Sequence, residues 1–180
     1  MKGTVAKMSK IIICGLNGSG KSTLGKALSE KINYIHKDIE SYYFEDKGNY
    51  KYAKSRTKVD VTKSLEKDFE NYQNIIFSAC KGDYGNLNNS YDLAIYIKLD
   101  KETRLERVKQ RSYKQFGNRA LEGGDLYEQE MRFFEKVYKK DESEILDWFN
   151  DLKCSKIVVD GRNTVEENIN SILKANKDAI

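Results

Sequence analysis

Short apolar runs alternate with segments whose apolar residues recur every three or four positions, and this alternation organises most of the chain. Lys10–Cys14 is a run of the buried-strand type. From Lys21 onward Leu24, Ala27, Leu28 and Ile32 fall on one helical face. Tyr34–His36 reads as a brief second strand. Val61, Leu65, Phe69 and Tyr72 mark a helix that leads into a strand at Ile75–Ala79. Leu93–Leu99 is a further strand, followed by a strongly charged helix over Lys101–Tyr113. Asp125 heads a long helix, with Glu128 at capping-box spacing and an apolar stripe of Tyr127, Met131, Phe134 and Tyr138. Lys156–Val159 is the last strand. Thr164, with Glu167 three residues on, caps a final helix whose inner face is Val165, Ile169, Ile172 and Leu173. Five strands interleaved with helices predict an α/β domain of three layers, a parallel sheet with helices on both faces. Residues 1–9 read as an N-terminal tail, and 10–178 as one domain.

Composition narrows the setting. The 180 residues are 39% apolar and 33% charged, a globular balance. The 32 basic and 28 acidic side chains nearly cancel at +4, which argues against a nucleic-acid partner held by bulk electrostatics. Three cysteines at wide spacing and one histidine exclude a disulfide framework and a Cys/His zinc cluster. The apolar run Ile11–Cys14 is too short for a signal peptide or a membrane span, so the expected setting is the cytoplasm.

Gly15-Leu16-Asn17-Gly18-Ser19-Gly20-Lys21-Ser22 matches G-x-x-x-x-G-K-[ST], the Walker A pattern, and Thr23 follows it. An apolar strand runs into the segment and an amphipathic helix leaves it, as the motif requires. The glycines let main-chain N–H groups turn inward around an anion, and the helix N-terminus adds its dipole. In this reading Lys21 reaches the β- and γ-phosphates and the Ser22 hydroxyl ligates Mg²⁺. A plain glycine turn accounts for the glycines but not for Lys21. A cation at the positive end of a helix dipole costs free energy unless an anion binds.

On these residues the chain resembles the small P-loop kinases, the group that holds nucleoside monophosphate kinases and shikimate kinase. The resemblance covers Lys10 to Leu173. It implies a five-stranded parallel sheet in the order 2-3-1-4-5, ATP and Mg²⁺ as cofactors, an acceptor-side region over 37–72 and a mobile lid over 112–125. The lid stretch Arg107–Arg119 is similar to that of uncharacterised bacterial AAA-type ATP-binding proteins of this superfamily.

The third strand ends Phe77-Ser78-Ala79-Cys80-Lys81 without a carboxylate, so the Asp-Gly-x-Pro-Arg signature of adenylate-kinase-like enzymes is missing. Asp38 is the substitute, for the metal's water or the acceptor hydroxyl; it could equally cap the segment that follows. Tyr42, Tyr43, Phe44, Tyr50, Tyr52 and Arg56 crowd the acceptor-side region, either to hold a base and a phosphate or to pack an irregular insertion. Lys81 and Asp83, at the carboxyl end of a strand, are further acceptor contacts. His36 reads as a structural residue.

Arg104, Arg107 and Arg111 are spaced by three and four on one helix, and neither Arg107 nor Arg111 has an acidic residue at pairing distance within it. Such a stack points to an external anion, the phosphates of ATP, or to a tertiary partner. Arg119, between Gly117 and Gly123-Gly124, suits a closing lid that brings it to the migrating phosphoryl group and the acceptor. Asp160-Gly161-Arg162-Asn163 occupies the place where the resemblance puts main-chain contact with adenine. The leading expectation is therefore a Mg²⁺-dependent ATP phosphotransferase, a monomer or homodimer, acting on a small acceptor. Lys21, Asp38, Arg107 and Arg111 would carry catalysis. Nucleoside monophosphate phosphorylation, an ATP-binding regulatory module and a nucleic-acid end kinase are the alternatives.

Overall fold

The computed structural model of the chain describes residues 10–44 and 55–178. Tyr50 and Tyr52 lie outside them. The described elements run β1 (Lys10–Cys14), α1 (Lys21–Ile32), β2 (Ile35–Asp38), α2 (Glu40–Tyr43), α3 (Lys58–Asn71), β3 (Ile75–Ala79), β4 (Leu93–Lys98), α4 (Lys101–Phe116), α5 (Tyr127–Lys139), α6 (Ser143–Asp151), β5 (Ser155–Asp160) and α7 (Val165–Asp178). All strand pairs are parallel, in the order β2-β3-β1-β4-β5, with β1 central and in register from Lys10↔Ile75 to Cys14↔Ala79. The sheet has the predicted order.

Because successive side chains of a strand point to opposite faces, the apolar strands feed two cores. Ile12 and Phe77 pack with Val61 and Leu65 of α3 and with Ile145, Trp148 and Phe149 of α6. Ile11, Ile13, Ile76 and Ile95 pack with Leu24 and Leu28 of α1 and with Ile169 and Ile172 of α7. Full burial of each such side chain contributes about 1.5–3 kcal/mol. The sheet is therefore a rigid base, and its carboxyl edge is where loops can hold a site. A third, small cluster of Val108, Phe134 and Val137 joins α4 to α5.

The predicted elements shift most in three places, while β4 ends one residue earlier and β5 gains one residue at each end. The second strand covers Ile35–Asp38 rather than Tyr34–His36, because the main-chain ladder to β3, not side-chain burial, sets this edge. α4 runs on to Phe116. α5 begins at Tyr127 without a side-chain cap, since the Asp125 carboxylate is engaged by Arg119, with Nε to Oδ1 at 2.9 Å and Nη2 to Oδ2 at 2.7 Å. The α5 core face is Glu130, Phe134 and Val137, while Tyr138 is exposed beneath the Lys101 ammonium, 3.9 Å from its ring centre. Helix α6 was not anticipated, although Ile145, Trp148 and Phe149 carry its apolar face.

Candidate active site

β1 delivers the chain at the carboxyl edge of the sheet, and the loop from Gly15 returns it into α1. Gly18 takes φ +84°, and a Cβ there would stand 2.3 Å from the main-chain oxygen of Arg104, so α4 is seated directly against the loop. Gly20 takes φ +101° immediately before α1, the left-handed turn that swings the N–H groups of the first helical turn toward the loop's interior. No acidic residue occupies that first turn. The Ser19 hydroxyl is buried without a hydrogen-bond partner. Lys21 is 8% exposed, and its ammonium donates to the Leu16 carbonyl at 3.1 Å, which uses one of three donors.

β2 ends in Asp38, and its carboxylate reaches both α1 and the segment that follows β2. Oδ2 accepts the Ser22 hydroxyl, and Oδ1 accepts the Glu40 main-chain N–H at 3.0 Å. The second bond is the capping-type contact, and it holds the carboxylate toward α1. His36, two residues earlier, pairs its Nε2 with the buried Ser78 hydroxyl at 2.9 Å, and burial pushes its pKa below the ordinary value. It is a packed residue beneath α1.

Opposite the loop stand Arg107 and Arg111 of α4. Together with the Asn17–Thr23 loop, Asp38, Glu40, and Gly161, Asn163, Thr164, Val165 and Asn168 after β5, they line a cleft of about 650 Å³. Arg107 Nη2 donates to the Gly161 carbonyl at 3.1 Å, a tertiary main-chain partner. Arg104 is turned away from the cleft. It is 5% exposed, its Nε donates to the Leu99 carbonyl at 3.2 Å, and its Nη1 is buried without a partner. Of the three stacked arginines, the one in the first turn is buried outside the cleft.

The other predicted acceptor contacts lie outside the cleft lining. Arg56 is exposed, with its main-chain N–H on the Tyr43 carbonyl at 2.8 Å. Lys81 pairs with Asp83 at 3.6 Å, and Asp83 also accepts from Asn88 at 2.8 Å, which with Lys81 holds its carboxyl below the usual range. Arg119 is exposed and bound to Asp125. Cys80 does approach the loop, its thiol donating to Asn17 Oδ1 at 3.5 Å. Asn168 was missed. It is buried, donates to the Asp160 carbonyl at 2.9 Å and lines the cleft. An amide beside Ile169 on the inner side of an amphipathic helix was the available signal. In the loop before it, Asp160 is bonded to Arg162, which holds its carboxyl down at about 2.

A strand, a glycine loop and a helix opening on lysine, set centrally in a parallel 2-3-1-4-5 sheet, define the P-loop fold in its small-kinase form. The chain belongs to the AAA domain family, which matches residues 11–135. It is 33% identical over 172 residues to the uncharacterized protein YqaC of Bacillus subtilis strain 168, covering 91% of this chain and 94% of that one. Among solved structures it is similar to a shikimate kinase from Bacteroides thetaiotaomicron, with TM-score 0.60, 17% identity and coverage of 95% and 99% of the two chains. A gluconokinase from Sinorhizobium meliloti 1021 gives TM-score 0.59 at 14% identity, covering 96% of this chain and 93% of that one. A deoxyadenosine kinase from M. mycoides gives 0.57 at 22% identity, covering 95% of this chain and all of that one, 100%. At these identities the likeness to the solved structures is one of fold.

Proposed function

We propose that the protein is an ATP-dependent phosphotransferase that moves the γ-phosphoryl group to a small-molecule acceptor with Mg²⁺. The observation that carries this reading is the convergence on one cleft of Lys21, the Ser22–Asp38 contact, and the facing pair Arg107 and Arg111. Phosphoryl transfer asks for little covalent chemistry from the protein; it asks for positioned positive charge around a migrating group.

The main-chain N–H groups of Gly18, Gly20, Lys21 and Ser22 would cradle the phosphates, while that of Ser19 donates to the Leu16 carbonyl at 3.1 Å, and the two remaining donors of Lys21 would reach the phosphate oxygens. The partnerless Ser19 hydroxyl, buried in the same loop, fits an anion there. Arg107 and Arg111 would close over the opposite side of the phosphates. Mg²⁺ fits the hydroxyl and carboxylate oxygens of Ser22 and Asp38, hard donors of the kind it prefers, and when bound it neutralises phosphate charge. In transfer, an acceptor oxygen bonds to the γ-phosphorus while the bond to the bridging oxygen of the departing ADP breaks. The acceptor's hydroxyl proton passes to Asp38, whose two oxygens are already oriented. Residues 112–125 would be the lid, fastened by the Arg119–Asp125 pair, and Gly161 to Asn168 would flank the base. No helix among the described residues is long and apolar enough to cross a membrane.

The test is a thermal melt with Mg²⁺·ATP, followed by product detection with pooled acceptors. Ligand at about 100 times its Kd stabilises by about 2.7 kcal/mol, which for a chain of this size raises Tm by roughly 5–10 °C. Lys21→Ala should remove that shift. An unchanged shift in the variant would overturn the role of the loop. ATP binding with no phosphorylated product from any pool would instead leave a binding module.

A further inference from the structure

Beside the phosphate cleft lies a second cavity of about 400 Å³, which shares Asn17, Glu40, Arg111 and Gln115 with it. Its walls are mainly α4 and α5, not the acceptor-side region or the loop after β3. Two helices that only pack together meet on apolar faces. Here the face of α4 that lines the cavity is Val108, Arg111, Ser112 and Gln115, at spacing i, i+3, i+4, i+7, and three of the four are polar. α5 contributes Gln129, Arg132, Phe133 and Lys136 at the same spacing, again with three polar. The helices close on each other through Val108, Phe134 and Val137 and the Ser112–Glu130 bond, and beside that seam these two faces direct hydrogen-bonding groups into shared space, a built pocket.

The chemistry of the pocket separates into three parts. Phe44, Phe116 and Phe133 bring aromatic rings from three separate segments, flat surfaces suited to a planar ring and poorly used by a polyol. Glu130, 2% exposed and accepting the Ser112 hydroxyl at 2.5 Å, gives a polar floor. Arg132 and Lys136, one turn apart and exposed, place two cations at the mouth, and Arg111 adds a third where the pocket opens into the cleft. The volume falls within the range of small-molecule sites.

We propose that this cavity holds the phosphoryl acceptor, and that the acceptor is a planar aromatic or heteroaromatic compound carrying an acidic group, of about the size of a nucleoside monophosphate. This inference rests on the phosphotransfer reading and narrows it. The test is calorimetric titration of the full chain, its cleft first filled with a non-hydrolysable ATP analogue and Mg²⁺. The probes are AMP, CMP and phenyl phosphate, with gluconate and shikimate as non-aromatic acids. At least one aromatic probe should saturate, and neither non-aromatic acid should. Phe133→Ala and Lys136→Gln should each weaken that binding about tenfold, and Phe133→Tyr should retain it. ATP affinity should stay within about twofold in all three, and a melt of each free variant separates lost binding from lost folding. Lys136 is exposed, so its variant tests the pocket even if Phe133→Ala unfolds. If the analogue binds and no aromatic probe does, or binding ignores both substitutions, the assignment of the cavity fails while the phosphotransfer reading stands. If the analogue itself does not bind, the underlying reading fails.

Discussion

Gly25, in the middle of α1, gives a stability prediction whose sign the structure decides. Helix propensity alone makes Gly→Ala favourable by about 1 kcal/mol. The position is not open, however. A Cβ on Gly25 would stand 2.5 Å from His36 Nε2 and 2.8 Å from its Cδ2, well inside the contact distance of about 3.5 Å. The ring cannot swing aside without cost, because Nε2 is bonded to the Ser78 hydroxyl at 2.9 Å and Ser78 is fully buried. Relief means orphaning that hydroxyl or lifting α1 from the sheet, either of which costs about 1–3 kcal/mol. Set against the propensity gain, Gly25→Ala should therefore destabilise by up to about 2 kcal/mol, a fall in Tm of up to roughly 8 °C. In a His36→Ala background the orphaned Ser78 is common to both members of the pair, and the new methyl enters vacated space. There Gly25→Ala should stabilise by about 1 kcal/mol, a coupling of about 1–3 kcal/mol between the sites. Urea denaturation of the four proteins measures it. A stabilising Gly25→Ala in the parent, or equal effects in both backgrounds, would refute the account of how α1 is seated on β2 and β3.

Two further outcomes follow from the same region. Asp38→Asn keeps an oxygen for the Glu40 N–H but loses the proton acceptor; turnover should fall by about 10²–10⁴-fold with nucleotide affinity little changed, and parallel loss of both in kinetics and calorimetry would remove the proposed role. The depressed pKa of His36 means that between its folded value and the ordinary value of about 6.5 the unfolded chain binds more protons. Its contribution to stability is complete above that ordinary value and is lost as pH falls through the window. His36→Gln should flatten this slope in urea melts taken between about pH 5 and 7, and an unaltered slope would contradict the assignment.

What could be read along the chain was whatever depends on near neighbours. The capping box at Thr164 formed as spaced, with its main-chain N–H on Glu167 Oε2 at 2.8 Å and the Glu167 N–H on Thr164 Oγ1 at 3.2 Å. The same spacing at Asp125 and Glu128 did not, because Arg119 six residues back competed for the carboxylate. Pattern counts possible partners; it does not rank them. Arg104, Arg107 and Arg111 looked equivalent on a helical wheel, yet the Arg104 side chain is buried on the Leu99 carbonyl, outside the cleft.

The sequence by itself determined the succession of the five strands and of the helices other than α2 and α6, the two-sided burial of the sheet and the eight-residue loop that can grip phosphate. Each is a matter of periodicity or of contiguous residues. Only the tertiary structure decided that Asp38 meets Ser22, that two arginines and not three face the cleft, and that a second cavity opens beside the seam between α4 and α5. Those relations join residues distant in the chain, set by how helices seat on a sheet, and no local spacing carries that information.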